Sequence, residues 1–126
     1  MTWALDLDGV VWLGDKVIQG VGESITFLRE KGEQVFFVTN NSGRTVSEVE
    51  EKLNSFNIEP NGGVITSAMA MATLLSPDET VLTLCGKGAV EEMEKVGAKP
   101  VKDGKADSVV VGFHGDFDYW KLTAAL

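Results

Sequence analysis

The chain has 126 residues, and 11 Lys+Arg against 19 Asp+Glu give a formal net charge of −8; the length suits one domain and is short for two. With 44% hydrophobic and 24% charged residues it can bury a core, and its single cysteine excludes an internal disulfide framework or a multi-cysteine zinc site, as expected of a cytoplasmic protein. No Lys/Arg cluster is present to neutralise nucleic-acid phosphates, no run approaches the roughly 18 apolar residues of a membrane span, and Met1-Thr2-Trp3 leads into an acidic segment rather than a basic leader.

Residues 2–7 (TWALDL) read as a short strand that ends in Asp-Gly. Residues 21–31 read as a helix with Val21, Ile25 and Leu28 on one face and Gly32 as its stop. Gln34–Thr39 (QVFFVT) is a near-continuous β-branched and aromatic run, which suits a strand covered on both faces. Thr45 and Glu48 form a capping-box signature for a helix carrying Val46, Val49, Leu53 and Phe56, which stops near Asn57. Residues 63–66 form a brief strand, and Ser67 is the candidate N-cap of an apolar helix over 68–75. Ser76-Pro77-Asp78 breaks the chain and is taken as a domain boundary. Residues 80–85 then read as strand, 89–96 as helix closed by Gly97, 102–107 as a turn-rich stretch and 108–113 (SVVVGF) as strand. Asp118 caps a last helix with Tyr119, Leu122 and Leu126 on one face. The alternation of strand and helix predicts an α/β fold with a mostly parallel sheet.

Such sheets bind ligands at the carboxyl ends of their strands. That rule selects Asp6-Leu7-Asp8-Gly9 and Thr39-Asn40-Asn41-Ser42. In extended backbone Asp6 and Asp8 point to the same side, so two like charges share one small site. Their repulsion pushes one carboxyl towards the protonated form and leaves the other ionised, as a nucleophile or metal ligand beside a proton donor. Gly9 lets the backbone turn tightly against a ligand. Thr39 with the following free amides makes an anion-binding concavity. Each element alone is more often an ordinary polar turn; together they describe a plausible phosphoryl site, with Mg²⁺ balancing the charge of a small anionic substrate. Gly20-Val21-Gly22 lacks the third glycine of a dinucleotide fingerprint, and Gly86-Lys87-Gly88 lacks the spacing of a P-loop. His114 reads as a loop or edge residue, Cys85 as a small buried hydrophobe, and Trp3, Trp12 and Trp120 as packing.

Asp6-Leu7-Asp8-Gly9-Val10-Val11-Trp12, followed by Gly14-Asp15 and Gly20, resembles motif I of haloacid-dehalogenase-type phosphatases, in their NagD or p-nitrophenyl phosphatase branch. Val38-Thr39-Asn40-Asn41-Ser42 with Arg44 resembles motif II of the same branch. Ile65-Thr66-Ser67-Ala68, Val109-Val110-Val111-Gly112 and the stretch from Phe117 to Leu122 are similar to further family runs. The resemblance implies a haloacid-dehalogenase-like Rossmannoid core, incomplete, over residues 1–78, and the start of an inserted α/β cap over 79–126. It implies that Asp6 attacks phosphorus to form an aspartyl-phosphate and that Asp8 first protonates the leaving oxygen, then activates water. It places Mg²⁺ between the Asp6 carboxylate, the Asp8 backbone carbonyl and the phosphate of a small phosphorylated metabolite. Thr39, the Asn40 amide and the Gly9 amide would hold phosphate oxygens, with Asn41 on the substrate side. The family's later lysine and acidic metal motif have no counterpart before Leu126, so the expectation is the N-terminal half of such an enzyme, inactive without the remainder. The alternative is a non-catalytic phosphate-binding or interaction module, self-associating through an open sheet edge. A phospho-acceptor receiver domain fits poorly, because the second and third strands end in Thr and not Asp.

Overall fold

The computed structural model describes residues 1–124; the expected place of Leu126 on the last helix's apolar face lies outside them. The described chain forms two compact units, one from Met1–Thr39 and Val46–Thr66, the other from Asn40–Thr45 and the residues from Ser67 onward. Among the described residues no helix is long and apolar enough to cross a membrane.

The first unit holds β1 (Thr2–Asp6), β2 (Trp12–Leu13), β3 (Lys16–Val17), α1 (Val21–Glu30), β4 (Gln34–Thr39), α2 (Val46–Ser55) and β5 (Val64–Thr66). β2 and β3 make a small antiparallel hairpin. The other three strands form a parallel sheet in the order β1-β4-β5, with Asp6 opposite Val38 and Thr39 opposite Thr66. Two successive crossovers in one direction, each right-handed, put both helices on the same face. Ile25 and Leu28 of α1 and Val49 and Leu53 of α2 accordingly share one core with Leu7, Val35, Phe37 and Val64. Phe37, on the middle strand, is the largest fully buried side chain among the described residues; truncation to Ala at such a site costs about 3–5 kcal/mol.

The opposite face corrects the expectation that β4 is covered on both sides. Its outward residues are Gln34, Phe36 and Val38, in register with Thr2, Ala4 and Asp6 of β1, and Ile65 lies opposite Val38 on β5. Val38 and Ile65 remain 36% and 41% exposed. A run of apolar residues announces that a face can be covered; it does not supply the covering element.

The second unit holds α3 (Ser67–Ala72), β6 (Thr80–Leu84), α4 (Lys87–Lys95), β7 (Lys99–Val101), β8 (Ser108–Val111) and α5 (Tyr119–Ala124). Its strands form a separate parallel sheet in the order β7-β6-β8. Ala68, Val81, Ala89, Met93 and Ala98 form its core, flanked by Met71, Leu75, Cys85 and Val110. Ser67 opens α3 itself and donates its hydroxyl to the Asn40 carbonyl at 2.9 Å, instead of standing outside the helix as a cap. Asp118 does cap α5, accepting the Lys121 N–H at 2.8 Å. β7 was not legible as a strand; Pro100 sits in it, tolerated because β7 is an edge. α3 belongs to this unit, so the compact units do not coincide with a division at Ser76-Pro77-Asp78.

Three glycines clamp residues 40–45 onto this unit. A Cβ at Gly88 would stand 1.9 Å from the Arg44 carbonyl oxygen, one at Gly86 2.6 Å from the Gly43 Cα, and one at Gly112 2.8 Å from the Ser42 Oγ. The close approach allows the Ala89 N–H to donate to the Ser42 carbonyl at 3.0 Å and the Gly88 N–H to the Gly43 carbonyl at 3.3 Å. The Phe113 N–H donates to the Ser42 Oγ at 3.2 Å.

Two outcomes follow from these contacts. Gly88→Ala forces backbone to shift and is expected to cost at least about 1–3 kcal/mol, read by thermal denaturation, with faster exchange of the Ala89 amide. Gly115→Ala, whose Cβ meets nothing within 4 Å, should leave both unchanged; equal effects of the two would reject the clamp. The second outcome concerns Asp78, which the Lys99 ammonium at 2.7 Å holds below the usual carboxylate range. Stability from this exposed pair is present above the ordinary aspartate pKa and is lost as pH falls through the lowered value. Lys99→Met should return the Asp78 midpoint to the ordinary range in an NMR titration.

Candidate active site

Leu7 is fully buried between Asp6 and Asp8, which are both exposed. Strand alternation therefore sends the two carboxylates away from the core at the carboxyl end of β1. The chain then turns sharply. The Leu7 carbonyl accepts N–H groups from Val10, Val11 and Trp12 at 3.3, 2.9 and 3.1 Å, and the Gly9 N–H donates to the Trp12 carbonyl at 2.7 Å. Gly9 has φ 87°, which a side chain would resist. The turn closes on an Asp8–Trp12 bridge.

The two acids have different partners. Asp6 Oδ1 accepts the Leu7 N–H at 2.8 Å, its own turn. Asp8 Oδ1 accepts the indole N–H of Trp12 at 2.8 Å. Trp12 is only 3% exposed, and a buried indole needs an acceptor. Reading Trp12 as packing captured half of its role; the missed signal was an Asp four residues before a Trp that had to be buried. Lys52 of α2 braces the same turn, with its ammonium 4.4 Å from the Trp12 ring centroid and donating to the Gly14 carbonyl at 2.7 Å.

Thr39 ends β4 at 3% exposure, one residue beyond the Val38 that faces Asp6. Asp6, Asp8, Gly9 and Thr39 thus lie at the carboxyl ends of the adjacent strands β1 and β4 of the first unit, where α/β sheets take ligands. Asn40 and Asn41 belong to the second unit. Asn40 is exposed, and Asn41 Oδ1 accepts the Gly43 N–H at 2.9 Å in an Asx turn.

The donor set bears on a metal. Among the described residues no group of three or more His, Cys, Asp or Glu side chains is placed to hold one. Two exposed carboxylates and a backbone carbonyl in a tight turn are hard oxygen donors, and Mg²⁺ is commonly held by one or two carboxylates with water and substrate phosphate completing six. These residues fit Mg²⁺ as part of a coordination sphere, not as a closed cage.

The remaining candidates fall elsewhere. Gly20 precedes α1 at φ 83° and Gly86 precedes α4. Cys85 is half-buried, and burial pushes its thiol up. His114 Nδ1 lies 2.8 Å from the Gly112 carbonyl, and its ring meets Phe117 edge-on. It lines a cavity of about 160 Å³ in the second unit with Thr83, Cys85, Lys102, Asp116 and Lys121. Lys121 pairs with Asp116 there and holds that carboxyl below the usual range.

Residues 3–99 match the family model of the haloacid dehalogenase-like hydrolases. The chain is 35% identical to the acid sugar phosphatase of Staphylococcus haemolyticus, over 98% of this chain and 48% of that protein. It is 32% identical to the chloroplastic phosphoglycolate phosphatase 1A of Arabidopsis thaliana, over 96% of this chain and 40% of that one. Among solved structures it superposes on the p-nitrophenyl phosphatase of Archaeoglobus fulgidus with a TM-score of 0.88 at 28% identity, covering 98% of this chain and 49% of the other. It matches the glycerol phosphate phosphatase of Mycobacterium tuberculosis, solved with calcium, with a TM-score of 0.87 at 30% identity, covering 98% and 37%. The chain thus spans about half the length, or less, of these relatives. With its paired acids on the β1 turn and a family model that covers most of its length, the chain belongs to the haloacid dehalogenase-like hydrolases and corresponds to the N-terminal half of their p-nitrophenyl phosphatase and NagD members.

Proposed function

We propose that this chain carries the nucleophile and the proton donor of a Mg²⁺-dependent phosphatase of small phosphate esters. The observation that carries the reading is the β1 turn, with both acids exposed beside Thr39 and one of them held by a buried indole. Relatives named acid sugar phosphatase, phosphoglycolate phosphatase and glycerol phosphate phosphatase support the substrate class. In family terms residues 1–78 are core and 79–126 the first part of the cap, whose remainder would set which ester is chosen.

In this mechanism an oxygen of Asp6 attacks phosphorus in line with the ester oxygen, the P–O ester bond breaks, and an aspartyl-phosphate forms. Asp8 gives its proton to the leaving oxygen. The indole is a donor only, so Asp8 Oδ1 stays an acceptor and the proton rides on Oδ2. The Asp8 carboxylate next takes a proton from water, the hydroxide oxygen attacks phosphorus, and Asp6 leaves as the free carboxylate. The Thr39 hydroxyl and the Gly9 and Asn40 amides hold the equatorial phosphate oxygens, with Asn41 towards the substrate. Mg²⁺ would sit on the Asp6 carboxylate and the Asp8 carbonyl, where it neutralises phosphoryl charge.

The test joins residues 1–126 to the remainder of the Archaeoglobus fulgidus enzyme and follows p-nitrophenyl phosphate with Mg²⁺ and with chelator. Asp6→Asn should abolish hydrolysis, by about 10⁴-fold or more; retained turnover in Asp6→Asn, or an inert parent fusion, overturns the reading. Phosphate binding with no turnover would favour the non-catalytic alternative. Trp12→Phe keeps an apolar ring but removes the donor to Asp8. It is expected to lower kcat by roughly tenfold or more and to move the pH profile with little change in KM. An unchanged profile would assign Trp12 to packing alone.

A further inference from the structure

We propose that the second unit holds a ligand site of its own: the cavity at the carboxyl ends of β6, β7 and β8 takes a small hydroxy acid, whose carboxylate meets the Lys102 ammonium and whose hydroxyl donates to His114 Nε2.

Topology carries the first step. β6 is the first strand of this sheet in the chain but the middle one in space, with β7 on one side and β8 on the other. A strand whose successors lie on opposite sides marks a switch point, and open parallel sheets bind ligands in the crevice outside the carboxyl ends there. The cavity of about 160 Å³ lies at that place. Thr83 and Cys85 mark the end of β6, Lys102 follows β7, His114 and Asp116 follow β8, and Lys121 comes from α5. All of these residues belong to the second unit, so the site stands apart from the Asp6 turn and from the function proposed for it.

Elimination among the lining groups carries the second step. The Thr83 hydroxyl donates to the Val101 carbonyl at 3.0 Å. Asp116 and Lys121 neutralise each other. Burial pushes the Cys85 thiol up, which keeps it uncharged. Two groups remain. The Lys102 ammonium has no ion pair among the described residues. His114 Nδ1 lies 2.8 Å from the Gly112 carbonyl, which can only accept, so in the neutral ring Nδ1 carries the hydrogen and Nε2 is the acceptor. Nε2 is enclosed and has no hydrogen-bond partner. An enclosed acceptor without a donor is costly, and a ligand hydroxyl relieves that cost. A metal ion suits the cavity less well, because among the described residues no three His, Cys, Asp or Glu side chains are grouped to hold one.

The ligand class follows from these two groups and the space between the walls. An unpaired ammonium, in a chain whose net charge is −8, calls for an anionic group, and an imine nitrogen calls for an O–H. The cavity equals the liquid volume of roughly five waters, which suits a ligand of about six non-hydrogen atoms. That is the size of lactate, and it excludes a nucleotide.

The experiment titrates the 126-residue chain with lactate and with propionate, which has the same carbon frame and no hydroxyl. Binding is followed on the His114 ring nitrogens by nitrogen-15 NMR, above the histidine pKa so that the ring is neutral. Lactate should bind at least about tenfold more tightly than propionate. It should also move the Nε2 resonance away from that of an unbonded imine nitrogen. Lys102→Met should weaken binding of both acids. His114→Phe, which keeps a ring beside Phe117, should erase the preference between them, with thermal melting as the check on folding. No binding of lactate, equal affinity for the two acids, or lactate binding indifferent to both variants overturns the proposal. The wild-type comparison decides the matter even where a variant fails to fold. Ester hydrolysis does not enter the readout, so failure of the proposed phosphatase reading leaves this site standing, and the reverse.

Discussion

Leu7 joins the core of the first unit to its chemistry through one residue. Its side chain is fully buried, and its carbonyl accepts three successive amides that close the following turn. The two facts are coupled by strand geometry. Burial of Leu7 fixes the pleat, so the flanking acids face solvent. The carbonyl then draws Val10, Val11 and Trp12 around it, which returns the indole to Asp8. A polar residue at position 7 would cost core stability and lose the orientation of both acids in one stroke. Lys52 ties this turn to α2, so the helix that fills the core also steadies the site's rim.

The same sheet explains why one face is finished and the other is not. Crossover chirality, not composition, decides which side α1 and α2 cover. Apolar side chains were available for both sides: Val35 and Phe37 point to one, Phe36 and Val38 to the other. Only the first pair is buried. The second unit shows the same condition, with Val109 and Val111 of β8 at 45% and 68% exposure.

Local physics was legible where a signal was strong and self-contained. The β-branched run gave β4 with both ends correct, and the i, i+4 spacing of Val21 and Ile25 with Gly32 beyond gave α1. Asp118 announced α5 through an ordinary capping geometry. What failed depended on partners distant in sequence. β7 is three residues long and holds a proline, so only its pairing with β6 defines it. The β2–β3 hairpin is two residues on each side, below any periodicity. The parallel character of the strands was readable from their alternation with helices, whereas their separation into two sheets was implied only by the resemblance, which set residues 79–126 apart as cap; nothing local says which strands share hydrogen bonds. In the site, the acids and Thr39 came from strand ends alone, while the Trp12–Asp8 bond and the glycine clamp needed the folded chain. Gly86-Lys87-Gly88 was discarded as a nucleotide loop, and its glycines serve backbone proximity instead.

The setting of Trp12 also gives the molecule an optical property. Trp3 and Trp120 are exposed to water, whereas Trp12 is enclosed, bonded to Asp8 and capped by a cation. Its emission is therefore expected to the blue of the other two. With Trp3 and Trp120 replaced by phenylalanine, the remaining fluorophore reports on the folding of the β1 turn alone, without label or substrate.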